Sequence, residues 1–277
     1  MRLLARRSSR GPFFNRVVVL CYHSIHPSKG IASATPAEFD EQLGWLREHC
    51  RIIPFAEVLR AARHPTVGKP TVSITFDDGY ADNHEFALPR LSRYSVPATF
   101  FLTTGLIDGQ ASVIQRLAAL QKASREDVAG LSWTQVLELR KAGMELGSHG
   151  SSHISLLRLD EEKVIEELLS AKRVLEDRLG EPVVSFAYPF GKPKHHFSRA
   201  TASLVAKSGY EHAAAIHLRG VRSDDDEFAI PRFPVSRNSI NMFVAMVFGK
   251  LDVVGRWQEL APSWLSRYTS RQNRLIG

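Results

Sequence analysis

Residues 71–80, TVSITFDDGY, set two adjacent carboxylates, Asp77 and Asp78, at the end of an apolar run. Val, Ile, Thr and Phe suit a buried strand, and Asp-Asp-Gly suits the turn that stops it. By itself an Asp-Gly turn needs no functional explanation. A second stretch, 145–153, reads ELGSHGSSH and places His149 and His153 four residues apart. On a helical turn such a pair points one way, so both imidazoles can reach one cation. Two histidines and one carboxylate make the three-ligand set of a catalytic zinc site, which keeps a position for water. Of the two aspartates, one can bind the ion and the other can take a proton from water, because successive side chains at a strand end diverge. A lone HxxxH or a lone DDG is a weak signal. Two such clusters, each closing a strand, make a much stronger one.

Two more strand ends offer candidates. Residues 186–191, FAYPFG, bring aromatic and proline groups that can wall a sugar groove, and the amide near Tyr188 can serve as an oxyanion donor. The plain alternative is a strand followed by a turn. Residues 20–24, LCYHS, put His23 where it can act as a general acid or as a hydrogen-bonded structural group.

These residues need a scaffold that gathers strand ends. Strand patterns fall at 17–22, 51–53, 71–76, 98–102, 145–148, 183–187 and 213–217. Helix patterns fall at 36–49, 54–62, 83–93, 133–142, 160–179, 199–208 and 238–248. Thr35 and Asp160 are natural N-caps, and Gly143 and Gly180 are natural stops. Region 105–130 has no clear pattern. Alternation of this kind predicts an α/β fold with a parallel sheet, open or closed into a barrel. In such folds functional residues sit at the C-terminal ends of strands, where Asp77 and Asp78 fall.

The 277 residues are 44% hydrophobic and 23% charged, a globular composition with room for one large α/β domain or two small ones. Lys plus Arg number 36 against 29 Asp plus Glu, a net charge of +7. Much of the excess lies at the ends, in Arg2, Arg6, Arg7, Arg10 and Arg16 and in Arg267, Arg271 and Arg274. Basic ends interleaved with Trp, Phe and Leu can touch an anionic membrane or glycan, or can be solvated tails. No nucleic-acid motif is present, so nucleic acid is not an expected partner. Cys21 and Cys50 make no disulfide framework and are expected as small buried groups. The first apolar run, 17–21, is too short for a signal-peptide core or a membrane span. The expectation is a cytoplasmic protein, soluble or peripheral at the inner membrane, with an Arg- and Ser-rich presequence as the minor alternative.

Taken together, the motifs resemble those of the polysaccharide deacetylases (carbohydrate esterase family 4, the NodB-homology domain). Residues 75–79, TFDDG, look like the first motif of that family. Residues 149–153, HGSSH, are similar to its H-[ST]-x-x-H motif, with Gly150 in place of the usual Ser or Thr. The similarity runs from about Val17 to about Val235. It implies a basic N-terminal extension over 1–16, a catalytic domain over 17–236 and a helical, basic tail over 237–277. It implies a distorted (β/α) barrel with parallel strands and outer helices. The implied reaction is metal-dependent removal of acetyl groups from N-acetylated sugars of a polysaccharide or glycan precursor. Asp77 becomes the general base. Asp78, His149 and His153 become ligands of a divalent metal, with zinc expected first and cobalt or nickel as alternatives. Tyr188, with Pro189 and Phe190, would line the site and offer its amide to the oxyanion.

Two departures stand out. The family's third motif usually carries an Arg that tethers the base, and here Ala187 takes that place. The FAYPFG form resembles a branch acting in exopolysaccharide and poly-N-acetylglucosamine synthesis. Arg232, in IPRFPV over 230–235, is similar to a late PRxxV element of that branch. It is either a replacement tether or an Arg in a surface turn. The family's late L-x-H motif, the source of the general acid, has only a poor match at Ile216-His217. In the branch it stands near the N-terminus as M-Y-H, which Cys21-Tyr22-His23 resembles, so His23 becomes the implied acid. The implied partner is an N-acetylated carbohydrate, and no oligomeric state follows from the pattern. The alternatives are a catalytically impaired carbohydrate-binding protein on the same fold, supported by the absent Arg, and a hydrolase of another acyl group such as formyl.

Overall fold

The apolar runs Val17–Tyr22 and Thr71–Phe76 are strands buried along their whole length, and they pair in parallel from Val17 with Thr71 to Tyr22 with Phe76. Strands covered on both faces read as near-continuous apolar runs, because neither side meets water. The computed structural model describes residues 16–252 apart from 29, 67 and 238.

Seven parallel strands form the wall: β1 (Val17–Tyr22), β2 (Thr71–Phe76), β3 (Thr99–Leu102), β4 (Glu145–Ser148), β5 (Ser185–Ala187), β6 (His212–Ile216) and β7 (Ile230–Pro234). Each of β2 to β7 lies beside its predecessor or successor in that order, and β7 returns to β1 through Leu20 with Phe233 and Cys21 with Pro234. The sheet is thereby closed into a barrel, with helices outside it. Its distortion is local. β4 meets β5 through Ser148 and Phe186, and the two-residue strand Arg51–Ile52 pairs with the start of β2 where β3 has not yet begun.

Side chains alternate across this wall, as the strand period requires. Val18, Leu20 and Tyr22 face the helices and share a core with Phe39, Leu43 and Leu46. Val17 and Val19 face the barrel interior with Phe101, Ala187, Ala214 and Ile230. The helix Pro36–His49 forms where expected. Thr35 and Glu38 make its capping box, and Phe39, Leu43 and Leu46 recur on the inner face. Burial of each of those three side chains contributes about 1.5–3 kcal/mol. The helix Glu161–Leu179 is capped by Asp160, as expected.

Four differences from the predicted pattern have physical causes. β7 was not among the predicted strands, because two prolines and an arginine break its apolar pattern; it is nevertheless the strand that closes the barrel. The helix expected over 83–93 opens with a wider turn, Asn83–Ala87, before Leu88–Tyr94, since Pro89 cannot donate to a regular ladder. Region 105–130 contains helices Thr104–Ile107 and Ala111–Gln121, whose Leu106, Val113 and Leu117 cover Tyr80. The helix Ile240–Val247 adds Phe243, Met246 and Val247 to the main core, so the packed body extends past residue 236.

Cys21 and Cys50 are free and buried. Among the described residues no helix is long and apolar enough to cross a membrane. Arg16 makes a two-pronged pair with Asp252 at 2.5 and 2.6 Å. The other terminal arginines lie outside the described residues.

Candidate active site

Asp77 continues the ladder one residue beyond β2, its N–H donating to Tyr22 O at 2.9 Å. The chain then turns sharply, with Asp78 at φ +71° and Gly79 at φ +84°. That reversal sends the two carboxylates in different directions, and both are buried, at 3% and 1% exposure. His149 likewise extends β4, donating its N–H to Leu102 O at 2.9 Å. Gly150 follows at φ +80° and His153 sits at φ +53°. The expected helical turn at 149–153 is therefore corrected. A left-handed residue at each of these points is incompatible with an α-helix, and the loop folds back to bring the two rings to 5.2 Å between centroids. Left-handed backbone costs a non-glycine residue about 1–2 kcal/mol, and such strain gathers at functional sites.

Asp78 Oδ1 lies 3.4 Å from His149 Nε2 and 3.1 Å from His153 Nε2. The His149 Nδ1 is 2.8 Å from Ala187 O, which can only accept, so Nδ1 carries the proton and Nε2 presents its lone pair. Burial pushes His149 down to about 4, against Asp77, which pulls the other way. For Asp78 burial opposes ionisation, but the neighbouring His153 outweighs it and holds the carboxyl well below the usual carboxylate range. Asp78 Oδ1 is buried and accepts no well-aligned hydrogen bond. One oxygen and two nitrogen donors thus converge on a buried point, and the ligand atoms lie within 4.8 Å of one another. This donor set fits a divalent transition metal.

Asp77 stands beside that cluster, its Oδ2 4.0 Å from His149 Nε2. Arg232 grips it with two nitrogens, Nη1 to Oδ1 at 2.7 Å and Nη2 to Oδ2 at 2.8 Å. Nη1 also donates to Thr75 Oγ1 at 3.1 Å. Arg232 is 0% exposed, which removes the surface-turn alternative. Its guanidinium lies 5.3 Å over the Phe101 ring, and Ala187 belongs to the same interior cluster as Phe101. Position 187 and position 232 thus address one inner space from two different strands. Burial raises the Asp77 carboxyl, but Arg232 and then His149 overcome it and leave it below the ordinary value.

His23 is half-buried at the end of β1, with its N–H donating to Ser33 Oγ at 2.9 Å. A ring nitrogen of His23, Cys21 Sγ and an Asp77 oxygen all lie within 4.8 Å of one another. Burial raises the Cys21 thiol well above its usual value despite Arg232, so it is a protonated donor to Asp77 Oδ2, 3.4 Å away. The contact of Cys21 with the base was not anticipated from the sequence. Nor was the place of Tyr80, whose buried phenol borders Asp78 and accepts from Gln121.

The third motif needs correction. The Tyr188 N–H donates to Ala214 O at 3.2 Å, its hydroxyl donates to Phe228 O at 3.0 Å, and its ring stacks on Phe197 at 3.7 Å. The amide is taken by β6, and the hydroxyl and ring by the connecting segments at Phe228 and Phe197, so the amide is not assigned as an oxyanion donor. Pro189 is buried beside it. Phe190, at φ +63°, does reach the site, with its ring 4.9 Å from that of His153. His26 and His84 pair elsewhere, with Phe86 and Glu138.

The sequence profile described as Polysaccharide deacetylase matches residues 64–213, just over half of the chain. The chain belongs to this family. Its reaction class is deacetylation of a polysaccharide, and its closed parallel barrel with outer helices is the family's fold. A poly-beta-1,6-N-acetyl-D-glucosamine N-deacetylase of Staphylococcus aureus is 22% identical over 214 residues, 76% of this chain and 71% of that protein. The Bacillus subtilis protein YxkH is 24% identical over 224 residues, 80% of this chain and 72% of the relative. Among solved structures, the Streptococcus pyogenes deacetylase PplD in complex with acetate superposes with a TM-score of 0.70 at 23% identity, covering 83% of this chain and 98% of that one. IcaB from Ammonifex degensii gives 0.68 at 24% identity, covering 85% and 98%. At these identities the two structures establish the shared fold.

Proposed function

We propose that this deacetylase hydrolyses the acetamide of N-acetylated hexosamine residues in a polysaccharide or its precursor. The observation that carries the reading is the Asp77 carboxylate, held by two Arg232 nitrogens at 2.7 and 2.8 Å beside the converging Asp78, His149 and His153. A divalent ion bound by those three residues, zinc first with cobalt and nickel as alternatives, would supply the Lewis acidity that polarises an amide carbonyl and makes water more acidic. Asp77 accepts a proton from the attacking water. Its lowered basicity suits a water that is already acidified, and its bidentate grip by Arg232 fixes the direction of the accepting oxygen. Water oxygen bonds to the carbonyl carbon, and the carbon–nitrogen bond breaks. His23, facing Asp77 across the cluster, donates the proton that lets nitrogen leave as an amine. The products are acetate and a glucosamine-type unit that is cationic at neutral pH. Phe190 walls the site on the His153 side.

The reading of a catalytically impaired binding protein rested on the absent third-motif Arg, and Arg232 supplies that guanidinium from β7. The test is acetate release from N-acetylglucosamine oligomers by metal-stripped protein, with and without Zn²⁺ or Co²⁺, beside His149→Ala. Metal-dependent acetate that disappears in the variant is expected. Formate from an N-formyl oligomer under the same conditions, with no acetate from its acetylated counterpart, would replace the reading. The basic ends, interleaved with Trp, Phe and Leu, are suited to lying against an anionic membrane surface. Co-sedimentation with phosphatidylglycerol vesicles, lost when both ends are trimmed, tests that placement.

A further inference from the structure

Helix Glu161–Leu179 buries Val164, Leu168, Ala171 and Leu175, and in the same stripe it buries a glutamate, Glu167, at 9% exposure. A carboxylate in an apolar stripe is costly unless its oxygens are hydrogen-bonded. Those of Glu167 are spent on the loop between the two histidines. Oε1 accepts from the N–H of Ser151 at 2.8 Å and of Ser152 at 2.6 Å, and Oε2 accepts from Ser152 Oγ at 2.8 Å. Two successive backbone amides aimed at one oxygen form an anion-binding nest. The carbonyls of the same loop are taken by residues 104–116. Gly150 O accepts from Thr104 N at 3.1 Å, Ser151 O accepts from Gly105 N at 2.9 Å, and Ser152 O accepts from Arg116. The Gly150 N–H donates to Ser148 Oγ at 3.2 Å, so the backbone groups of 150–152 are satisfied without a helix or strand ladder.

Position 150 is tied to the same carboxylate. A Cβ there would sit 2.8 Å from Glu167 Oε1, so glycine leaves room for the carboxylate to approach the loop. The geometry points to Glu167 as a positioning residue that sets the separation of His149 and His153, and hence the affinity of their site for a divalent ion. This rests on the reading of Asp78, His149 and His153 as that site. Groups that orient metal ligands from outside the ligand set typically change metal affinity 10–100-fold when removed.

The experiment is zinc binding to metal-stripped protein by competition with a chromophoric chelator. Wild type, Glu167→Gln and Glu167→Ala are compared, with Asp78→Ala as the control for the site and circular dichroism as the check on folding. The expected result is a Kd raised at least about tenfold in Glu167→Ala. Glu167→Gln, which keeps one oxygen for the two amides but loses the charge, should lie between. A folded Glu167→Ala that binds zinc as wild type does overturns the role. Should Glu167→Ala not fold, Glu167→Gln decides: a raised Kd upholds the role and an unchanged Kd overturns it. Wild type that binds no zinc, or Asp78→Ala that binds it unchanged, instead overturns the site on which this role rests. A residue that only stabilised the fold would lower the unfolding temperature and leave Kd alone.

Discussion

Arg232 Nη1 and Asp77 Oδ1 are 2.7 Å apart in a fully buried ion pair, although 155 positions separate them in the chain. The pair spans the closure of the barrel. Asp77 follows β2, Arg232 lies on β7, and β1 runs between them. Two charges withdrawn from water are tolerable only when each satisfies the other. The base and its tether are therefore also a joint that ties β2 to β7 across β1.

Removing one partner should cost both stability and catalysis. Arg232→Ala leaves a buried carboxylate unpaired, and metal-stripped protein should lose about 3–5 kcal/mol in urea unfolding. Acetate release should fall with it. Because position 187 faces the same interior as Phe101, the double change Ala187→Arg with Arg232→Ala should recover part of both losses. A double variant no better than Arg232→Ala would show that the two positions do not serve one space.

Chemistry and ion binding should separate between neighbouring residues. Asp77→Asn is expected to cut turnover by about 10²–10⁴-fold and to keep the zinc content of wild type. His149→Ala should lose the ion itself, as read by elemental analysis after dialysis against limiting zinc. Near-normal turnover in Asp77→Asn would remove Asp77 from the role of base.

The leaving group should report on His23. With an acetamide, whose amine leaves poorly, His23→Gln should slow turnover about 10²-fold or more. With an aryl acetate, whose phenolate needs little protonation, the same variant should stay within a few-fold of wild type. Equal losses on both substrates would assign His23 to positioning and not to proton donation.

Acid should weaken the metal-stripped protein before its carboxylates protonate. Folded His149 binds a proton only near pH 4, whereas an unfolded histidine does so near about 6.5. As pH falls through that window the unfolded chain takes up a proton that the folded chain refuses, so stability falls, by an amount on the order of 3 kcal/mol. The lowered Asp77 and Asp78 act in a lower window, below about pH 4, where their protonation also removes stability. Replacing the imidazole by an amide, His149→Asn, should flatten the slope between pH 6.5 and pH 4 by nearly one proton. A parallel slope in the variant would locate the buried neutral histidine elsewhere, with His196 the next to test because burial also takes it to about 4.

Some features follow from short segments alone. The runs 17–22 and 71–76 are strands because every residue in them tolerates burial on both faces. The helix at 36–49 begins at Thr35 because the capping box is complete within four residues. Asp77, Asp78, His149 and His153 stood out because each pair follows a strand directly, and the family resemblance ordered them into a site. The tertiary structure decided what depends on distant segments meeting. Arg232 in a proline-broken stretch had no local mark of burial; closure of β7 on β1 put it inside. The Tyr188 amide looked free until the partner strand β6 took it. His149 and His153 meet through two left-handed turns braced by Glu167, whose own helix gives no hint of that partner. Local propensity is a free energy of a few neighbouring residues and can be estimated from them. Which buried charge finds which partner is set by strand register and closure, and those are properties of the whole barrel.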